Sequence, residues 1–341
     1  MLSEMIVLYT ASLVLSLLLT GVVRKIALSY GVLDVPNARS SHTNVTPRGG
    51  GASIVLVTSL GVALLTRAER LSAGLAIALL VGGLAVALVG FLDDRYSVPA
   101  SVRFAVHLGA AFLASKFVGG LPTLVVGDTV VQLGWGGQVL AVLSIVWALN
   151  LFNFMDGIDG IAGSEAVFVL GVVGALGAFG LVSVQVGAVA LLLGAACAGF
   201  LIWNWPPARI FMGDVGSGYL GYVIGVLAIA ATRQNPAAIW IWLILGGAFF
   251  VDATVTLVRR AARGDPVYQA HRSHAYQWLA RRWQSHKKVT LSLTAVNLLW
   301  LLPCCCLAAA NPNIAGWIAL VALIPLVAVA IGAGAGRREQ G

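Results

Sequence analysis

Apolar stretches recur along this chain at the length a bilayer requires, and that recurrence leaves few folds open. Crossing the hydrocarbon as a helix takes roughly 17 to 25 apolar residues, because each segment must satisfy its own backbone polar groups. Eleven such stretches can be placed, at about 4–23, 50–66, 73–92, 103–120, 138–154, 162–181, 185–204, 214–232, 237–258, 289–309 and 314–335. With 59% hydrophobic and 10% charged residues and a mean hydropathy of +0.93, the chain has too little polar material to clothe a water-soluble globule. The expected fold is an all-α polytopic membrane protein of about eleven transmembrane helices, a single domain over residues 1–341. Met5 to Val23 is too long for a signal core and follows Glu4 rather than basic residues, so it reads as a retained first span entering from outside. Cys197 and Cys304 to Cys306 fall in apolar stretches and act as small hydrophobes.

Charge gives the spans a direction. With the N-terminus outside, the inner segments hold Arg24, Lys25, Arg39, Arg48, Arg95, Arg103, Arg209, eight cations from Arg259 to Lys288, Arg337 and Arg338, which is 17 of the 21 Lys and Arg. Positive-inside orientation predicts this asymmetry and makes the cytoplasm the functional side, with the C-terminus there. Ten of the 13 acids lie on or near that side, among them Asp34, Asp93, Asp94, Asp156, Asp159, Glu165, Asp214, Asp252 and Asp265. There is no tandem repeat, and 119–137 reads as an outer hairpin or short re-entrant connection.

The densest polar motif is Asn150-Leu-Phe-Asn153-Phe-Met-Asp156-Gly-Ile-Asp159-Gly-Ile-Ala-Gly163. Polar side chains three apart lie on adjoining faces of a helix, so a helix end can aim several of them into one pocket. A plain solvated turn would not need two amides inside the preceding apolar run. Gly90-Phe-Leu-Asp93-Asp94-Arg95 closes the third span, and its adjacent aspartates repel unless a metal or Arg95 resolves them. One of that pair could ligate metal while the other takes a proton. In Asn204-Trp-Pro-Pro-Ala-Arg209-Ile-Phe-Met-Gly213-Asp214-Val-Gly216-Ser217-Gly218, Asp214 opens the eighth span in a glycine-rich turn, suited to a phosphate-bridging metal or to an N-cap. Arg39, His42 and Arg48 in the first inner loop are donors for an anionic headgroup, or a positive-inside loop touching anionic lipid. His271-Arg272-Ser273-His274 in the longest loop could grip a pyrophosphate; metal ligation fits it less well, because magnesium prefers oxygen. Asp252, about two turns inside the ninth span, must face a cavity or partner rather than lipid. Five acids at one leaflet with cationic loops suit magnesium-dependent phosphoryl transfer between a soluble phosphate ester and a lipid-borne acceptor.

These motifs, in order over about residues 24 to 280, resemble the polyprenyl-phosphate N-acetylhexosamine-1-phosphate transferases, the membrane family that also holds the phospho-MurNAc-pentapeptide translocase. The resemblance rests on Asp34-Val-Pro-Asn-Ala-Arg39-Ser-Ser-His42, Gly49-Gly50, Asp93-Asp94, Asn150 to Gly160, Phe211-Met-Gly-Asp214-Val-Gly-Ser217 and His271-Arg-Ser-His274. It implies transfer of a sugar 1-phosphate from a UDP-N-acetylhexosamine to undecaprenyl phosphate, with release of UMP, in the bacterial cytoplasmic membrane. By resemblance, Asp93 and Asp94 activate the lipid phosphate or bind metal, and Asp214, with Asp94, is associated with magnesium, for which manganese can stand in. Asp156 and Asp159 join the catalytic set, and Asn150, Asn153, Asn204, His271, Arg272 and His274 contact substrate. Arg39, His42 and Arg48 hold lipid phosphate or diphosphate. Membrane lipids and a second copy in a homodimer complete the expected partners; nucleic acid is not among them. Direct attack and a covalent enzyme intermediate both stay open.

Ser40 departs from the Lys that the hexosamine-phosphate branch often has after Arg39. His271-Arg-Ser-His274 differs from the consecutive histidines of the peptidoglycan translocase, which is the alternative within the family, and points to the branch that starts O-antigen, capsule or teichoic-type glycans. The form Ser273-His-Ala-Tyr276 resembles the subgroup using deoxy-N-acetylhexosamines. A secondary transporter would instead carry its polar groups near the midplane of mirrored halves. A CDP-alcohol phosphotransferase would need an Ala-Arg pair where Gly163-Ser164 stands.

Overall fold

The structure is a computed structural model that describes residues 2–36, 44–127, 129–266 and 271–338. Helix α1 (Leu2–Ser29) leads through the paired strands β1 (Leu33–Asp34) and β2 (Thr46–Pro47) into α2 (Gly51–Arg67). Helices α3 (Ala73–Ile77) and α4 (Gly83–Tyr96) form one rod through a π turn at Ala78–Gly82, and α5 (Ala100–Val118) follows. Strands β3 (Thr123–Val126) and β4 (Thr129–Gln132) pair antiparallel, so the 119–137 connection is a hairpin. Then come α6 (Gly134–Met155), α7 (Ile161–Ala178), α8 (Val184–Asn204), α9 (Asp214–Thr232), α10 (Ala238–Leu245), α11 (Gly247–Ala262) and α12 (Ala275–Trp283). Helices α13 (His286–Val296) and α14 (Leu302–Ala310), joined by a π turn at Asn297–Leu301, and α15 (Ala315–Ala333) complete the bundle.

All eleven predicted stretches are helical, though not all are single long helices. Among the described residues nine helices are long and apolar enough to cross a membrane, or ten if the α10–α11 pair counts as one. The predicted second span is α2, whose 17 residues sit at the short limit. The predicted ninth is broken at Gly246, where α10 and α11 diverge by 76°. Glycine at both sides of the break permits it, and Gly247 lies so close to Leu323 of α15 that a Cβ would come within 2.6 Å. Exposed Leu18, Leu60, Leu88, Phe112 and Val321 give the bundle the apolar exterior that lipid, not water, accepts.

Helix α9 is the axle. It is buried along almost its whole length, from Val215 to Thr232, between α4, α5, α6 and α2. The Tyr222 hydroxyl donates to the carbonyls of Ala78 (2.8 Å) and Ala110 (3.3 Å). The first of these carbonyls belongs to the π turn, whose irregular ladder leaves an acceptor needing a partner inside the membrane. Packing thus fixes α9 lengthwise, and its first residue, Asp214, is fixed with it.

Candidate active site

Four helix ends meet where α9 begins. Gly213 enters α9 with φ of 76°, a left-handed conformation that favours glycine, and a Cβ there would stand 2.5 Å from the Asp94 carboxylate. Asp94, at the end of α4 and 8% exposed, accepts the backbone N–H of Asp214 on Oδ1 (3.0 Å) and that of Val215 on Oδ2 (3.2 Å). A carboxylate from one helix thereby caps the N-terminus of another, satisfying two otherwise unpaired donors and the positive end of the helix dipole. Arg48 donates through Nε to the Asp94 carbonyl (3.0 Å) and lies 3.7 Å from its carboxylate.

Asp93 faces the other way. Its Oδ1 accepts the Val98 N–H (2.7 Å) and its Oδ2 pairs with Arg103, whose guanidinium also reaches Asp214 Oδ2 (3.3 Å). From α6, Asn153 donates to Asp214 Oδ1 (3.0 Å) and to the Ser217 hydroxyl (3.1 Å). Asn150, one turn earlier, donates to the Val146 carbonyl of its own helix (2.8 Å). Asn204 holds the turns on either side, donating to the Ile210 carbonyl and accepting the Gly160 N–H, each at 3.0 Å. Asp159 accepts the Ala208 N–H on Oδ2 (3.0 Å) and lies 3.2 Å from His286 Nδ1.

These groups surround a cavity of about 270 Å³ lined by Asp94, Asp156, Asp159 and Asp214, with Arg48, Asn153 and Asn204. Asp93 and Asn150 are not in its lining. Asp156 stands apart: among the described residues its carboxylate has no hydrogen bond and no cation. Burial, then the neighbouring charges of Asp214, Asp94 and Asp159, push its pKa well above the usual carboxylate range. It also sits at the negative end of α6. A carboxylate in these surroundings stays ionised only if a cation joins it.

A second cavity of about 520 Å³ adjoins the first and is lined by Arg272, Arg281, Lys287, Gln284 and Asn44. Asp159, Phe211 and His286 line both. His271 and His274 line neither. Their rings lie 4.9 Å apart, and His274, 2% exposed, packs between Phe154 and Tyr276 with Nδ1 3.4 Å from Asp252. Burial, then His274 and Arg260, push the His271 pKa down to about 3, so its ring is neutral and is no cationic grip for a pyrophosphate at ordinary pH. The partner demanded for Asp252 is the start of α12, since its two oxygens accept the N–H of Ala275 (2.8 Å) and of Tyr276 (3.0 Å). Arg39 and His42 lie outside the described residues.

Sequence reasoning passed over His286, Gln277 and Arg103. The signal for His286 was available: Ser285 caps α13 by accepting the Lys288 N–H, which marks a helix start and puts His286 at the mouth of an apolar run.

The bundle and its carboxylate cleft define a multi-pass membrane enzyme. Residues 76–232, which carry Asp93, Asp94, the central motif and Asp214, match the model of glycosyl transferase family 4. Over that stretch the chain is similar to the family, and the relatives it matches are named as sugar-phosphate transferases, which supports an enzyme of that kind. The chain is 29% identical over 87% of its length to a probable undecaprenyl-phosphate N-acetylglucosaminyl 1-phosphate transferase of Bacillus subtilis, of which 83% is covered. A decaprenyl-phosphate N-acetylglucosaminephosphotransferase of Mycolicibacterium smegmatis is 27% identical over 80% of this chain and 74% of its own. A phospho-N-acetylmuramoyl-pentapeptide-transferase of Moorella thermoacetica is 29% identical over 63% of this chain and 69% of its own.

Proposed function

We propose that the protein transfers N-acetylhexosamine 1-phosphate from a UDP-sugar to undecaprenyl phosphate at the cytoplasmic face of the bacterial inner membrane, starting a lipid-linked surface glycan such as O-antigen. The observation that carries this reading is the unpaired Asp156 carboxylate facing Asp214 across an oxygen-lined cleft, with a basic cavity next to it. The donor set fits magnesium. No three His, Cys, Asp or Glu side chains among the described residues form a ready metal cage, but magnesium needs only one or two carboxylates when substrate phosphates and water complete its shell. Asp156 and Asp214 would hold it, and when bound it supplies positive charge to the phosphoryl oxygens.

The residues do the rest by position. Asp94 fixes the start of α9, and Asn153 and Arg103 hold the two Asp214 oxygens, so Asp214 points into the cleft without needing to reorganise. Asp94 in this reading serves as an anchor, not as the metal ligand or base that the motif suggested. An oxygen of the lipid phosphate, already ionised at neutral pH, attacks the sugar-bearing phosphorus of the donor. The bond from that phosphorus to the bridging oxygen breaks, and UMP leaves with the bridging oxygen and its electron pair. No protein nucleophile is required.

The peptidoglycan translocase reaction stands as the second reading, since relatives with that name match much of the chain. The test is UMP release by purified protein given undecaprenyl phosphate, with UDP-N-acetylglucosamine, 6-deoxy UDP-N-acetylhexosamines and UDP-MurNAc-pentapeptide as donors. UMP that needs lipid and magnesium, and stops on chelation, is expected. No UMP from any donor with a folded preparation refutes the reaction, and preference for the pentapeptide donor selects the second reading.

A further inference from the structure

Two guanidiniums share one ring at the end of the bundle that carries the carboxylate cavity. Arg24, near the end of α1, and Arg209, in the segment joining α8 to α9, stand with their guanidinium carbons 5.9 and 5.8 Å from the centre of the Trp203 ring. Each part is held in place. The Trp203 indole N–H donates to the Leu17 carbonyl (2.9 Å), and Gly21 lies against the ring, where a Cβ would meet Cζ2 at 3.0 Å. Arg24 donates through Nε to the Arg209 carbonyl (3.1 Å), and the Arg209 N–H donates to the Trp203 carbonyl (2.8 Å). An indole face attracts a cation, but two cations on one ring repel each other, and an anion beside them removes that repulsion. In the cleft, Arg48 meets Asp94, and Arg103 meets Asp93 and Asp214. Among the described residues, Arg24 and Arg209 meet no carboxylate.

Membrane topology asks only for cations near the interface, which solvated side chains supply. It does not ask that two of them, 185 residues apart, be fixed on one indole. A planar guanidinium suits the oxygens of a phosphate, and a pair of them suits a group of net negative charge. Exposed Leu18 of α1 and Ile202 of α8 belong to the apolar exterior of the same two helices, so the fitting ligand has a charged head at the ring and apolar chains along the bundle. Arg24, Trp203 and Arg209 line neither the carboxylate cavity nor the basic one, so a molecule held here is not the one that reacts. A zwitterionic headgroup would bring its ammonium to a place with no acid to receive it. We propose that Arg24 and Arg209, presented by Trp203, bind the headgroup phosphate of an anionic phospholipid in the leaflet at the carboxylate end of the bundle. The bound phosphate ties α1 to the segment that leads from α8 to Asp214.

The test uses the full chain in a neutral detergent, with phosphatidylglycerol as the probe and native mass spectrometry to follow bound lipid. Wild type should keep one phosphatidylglycerol at concentrations where it keeps no phosphatidylcholine, and inorganic phosphate at the same concentration should leave that lipid in place. Apparent affinity should fall about ten-fold in Arg24→Gln and in Arg209→Gln, as for loss of one hydrogen bond to a charged group, and less in Arg209→Lys, which keeps the charge and gives up the planar fork. Arg95→Gln is the control, because it removes from the same end of the bundle a cation that lies singly over Tyr96 (5.5 Å), and its affinity should match wild type. A cooperative melt in lipid-free detergent checks the fold of each variant. Wild-type retention in both Gln variants overturns the site. An equal loss in Arg95→Gln makes the effect one of overall charge, and equal retention of phosphatidylcholine removes the need for an anionic head; either result overturns the proposal. Displacement of the phospholipid by equimolar undecaprenyl phosphate gives the position to the acceptor and overturns it as well.

Discussion

Replacing Asp94 with asparagine should cost stability, and turnover should follow through geometry. The carboxylate accepts two backbone N–H groups at 3.0 and 3.2 Å in a site only 8% exposed to solvent. Asparagine keeps one acceptor oxygen and turns an amide toward the second donor, so one bond is lost and the other loses its charge assistance. Cap and charged hydrogen-bond values put the loss at about 2–3 kcal/mol. In a chain of this size that corresponds to a melting temperature lower by roughly 3–4 °C. With the start of α9 loosened, Asp214 is held less well, and the magnesium needed for half-maximal turnover should rise. The assay is a thermal melt in detergent beside a magnesium titration of UMP release. A variant that melts like wild type while kcat collapses at saturating magnesium would refute the reasoning, because the carboxylate would then be working on substrate rather than on the helix.

Three further outcomes follow from the geometry. Asp156→Asn should abolish magnesium-dependent turnover yet raise the metal-free melting temperature, since it removes an unpaired carboxylate crowded by Asp94, Asp159 and Asp214; a lower melting temperature would mean that Asp156 has a stabilising partner. Gly213→Ala should destabilise by more than about 1 kcal/mol, because a left-handed backbone and an overlap with Asp94 both oppose the new methyl; an unchanged melt would show that the entry to α9 can rearrange. The His271 ring is held near 3, below the ordinary 6.5, so between those values the unfolded chain takes up a proton that the folded one does not. Its share of stability is therefore full above pH 6.5 and declines as pH falls toward 3; His271→Gln should flatten that decline, and an unaltered slope would remove His271 as its source.

What was legible in the sequence was whatever a single segment encodes. The apolar stretches located the helices, and the clustering of Asp156, Asp159 and Asp214 with Asn153 and Asn204 followed from motifs whose residues do share one cleft. What was not legible depends on a second segment. Nothing near Asp94 reveals that its oxygens cap a helix starting 120 residues later, and nothing within 237–258 marks Gly246 as a break until Leu323 of α15 packs against its neighbour. The histidine motif was misleading for the same reason: its residues suit an anion, but Asp252, Phe154 and Tyr276 draw His274 inward. His286 was overlooked although the Ser285 cap before it marks the start of α13.

The two cavities differ in how their walls are encoded. The carboxylate cavity draws on helix ends spread from Asp34 to His286, locked together by cross-helix caps, so a change in any one of them disturbs the others. Half of the residues lining the basic cavity, seven of fourteen, come from the single stretch between Arg272 and Lys287. A chain built this way can be reshaped by exchanging one short cassette while its reaction centre stays intact. Grafting 278–285 between relatives, which spares Gln277 and His286 of the carboxylate cavity, is therefore the most economical route to altering which donor is accepted.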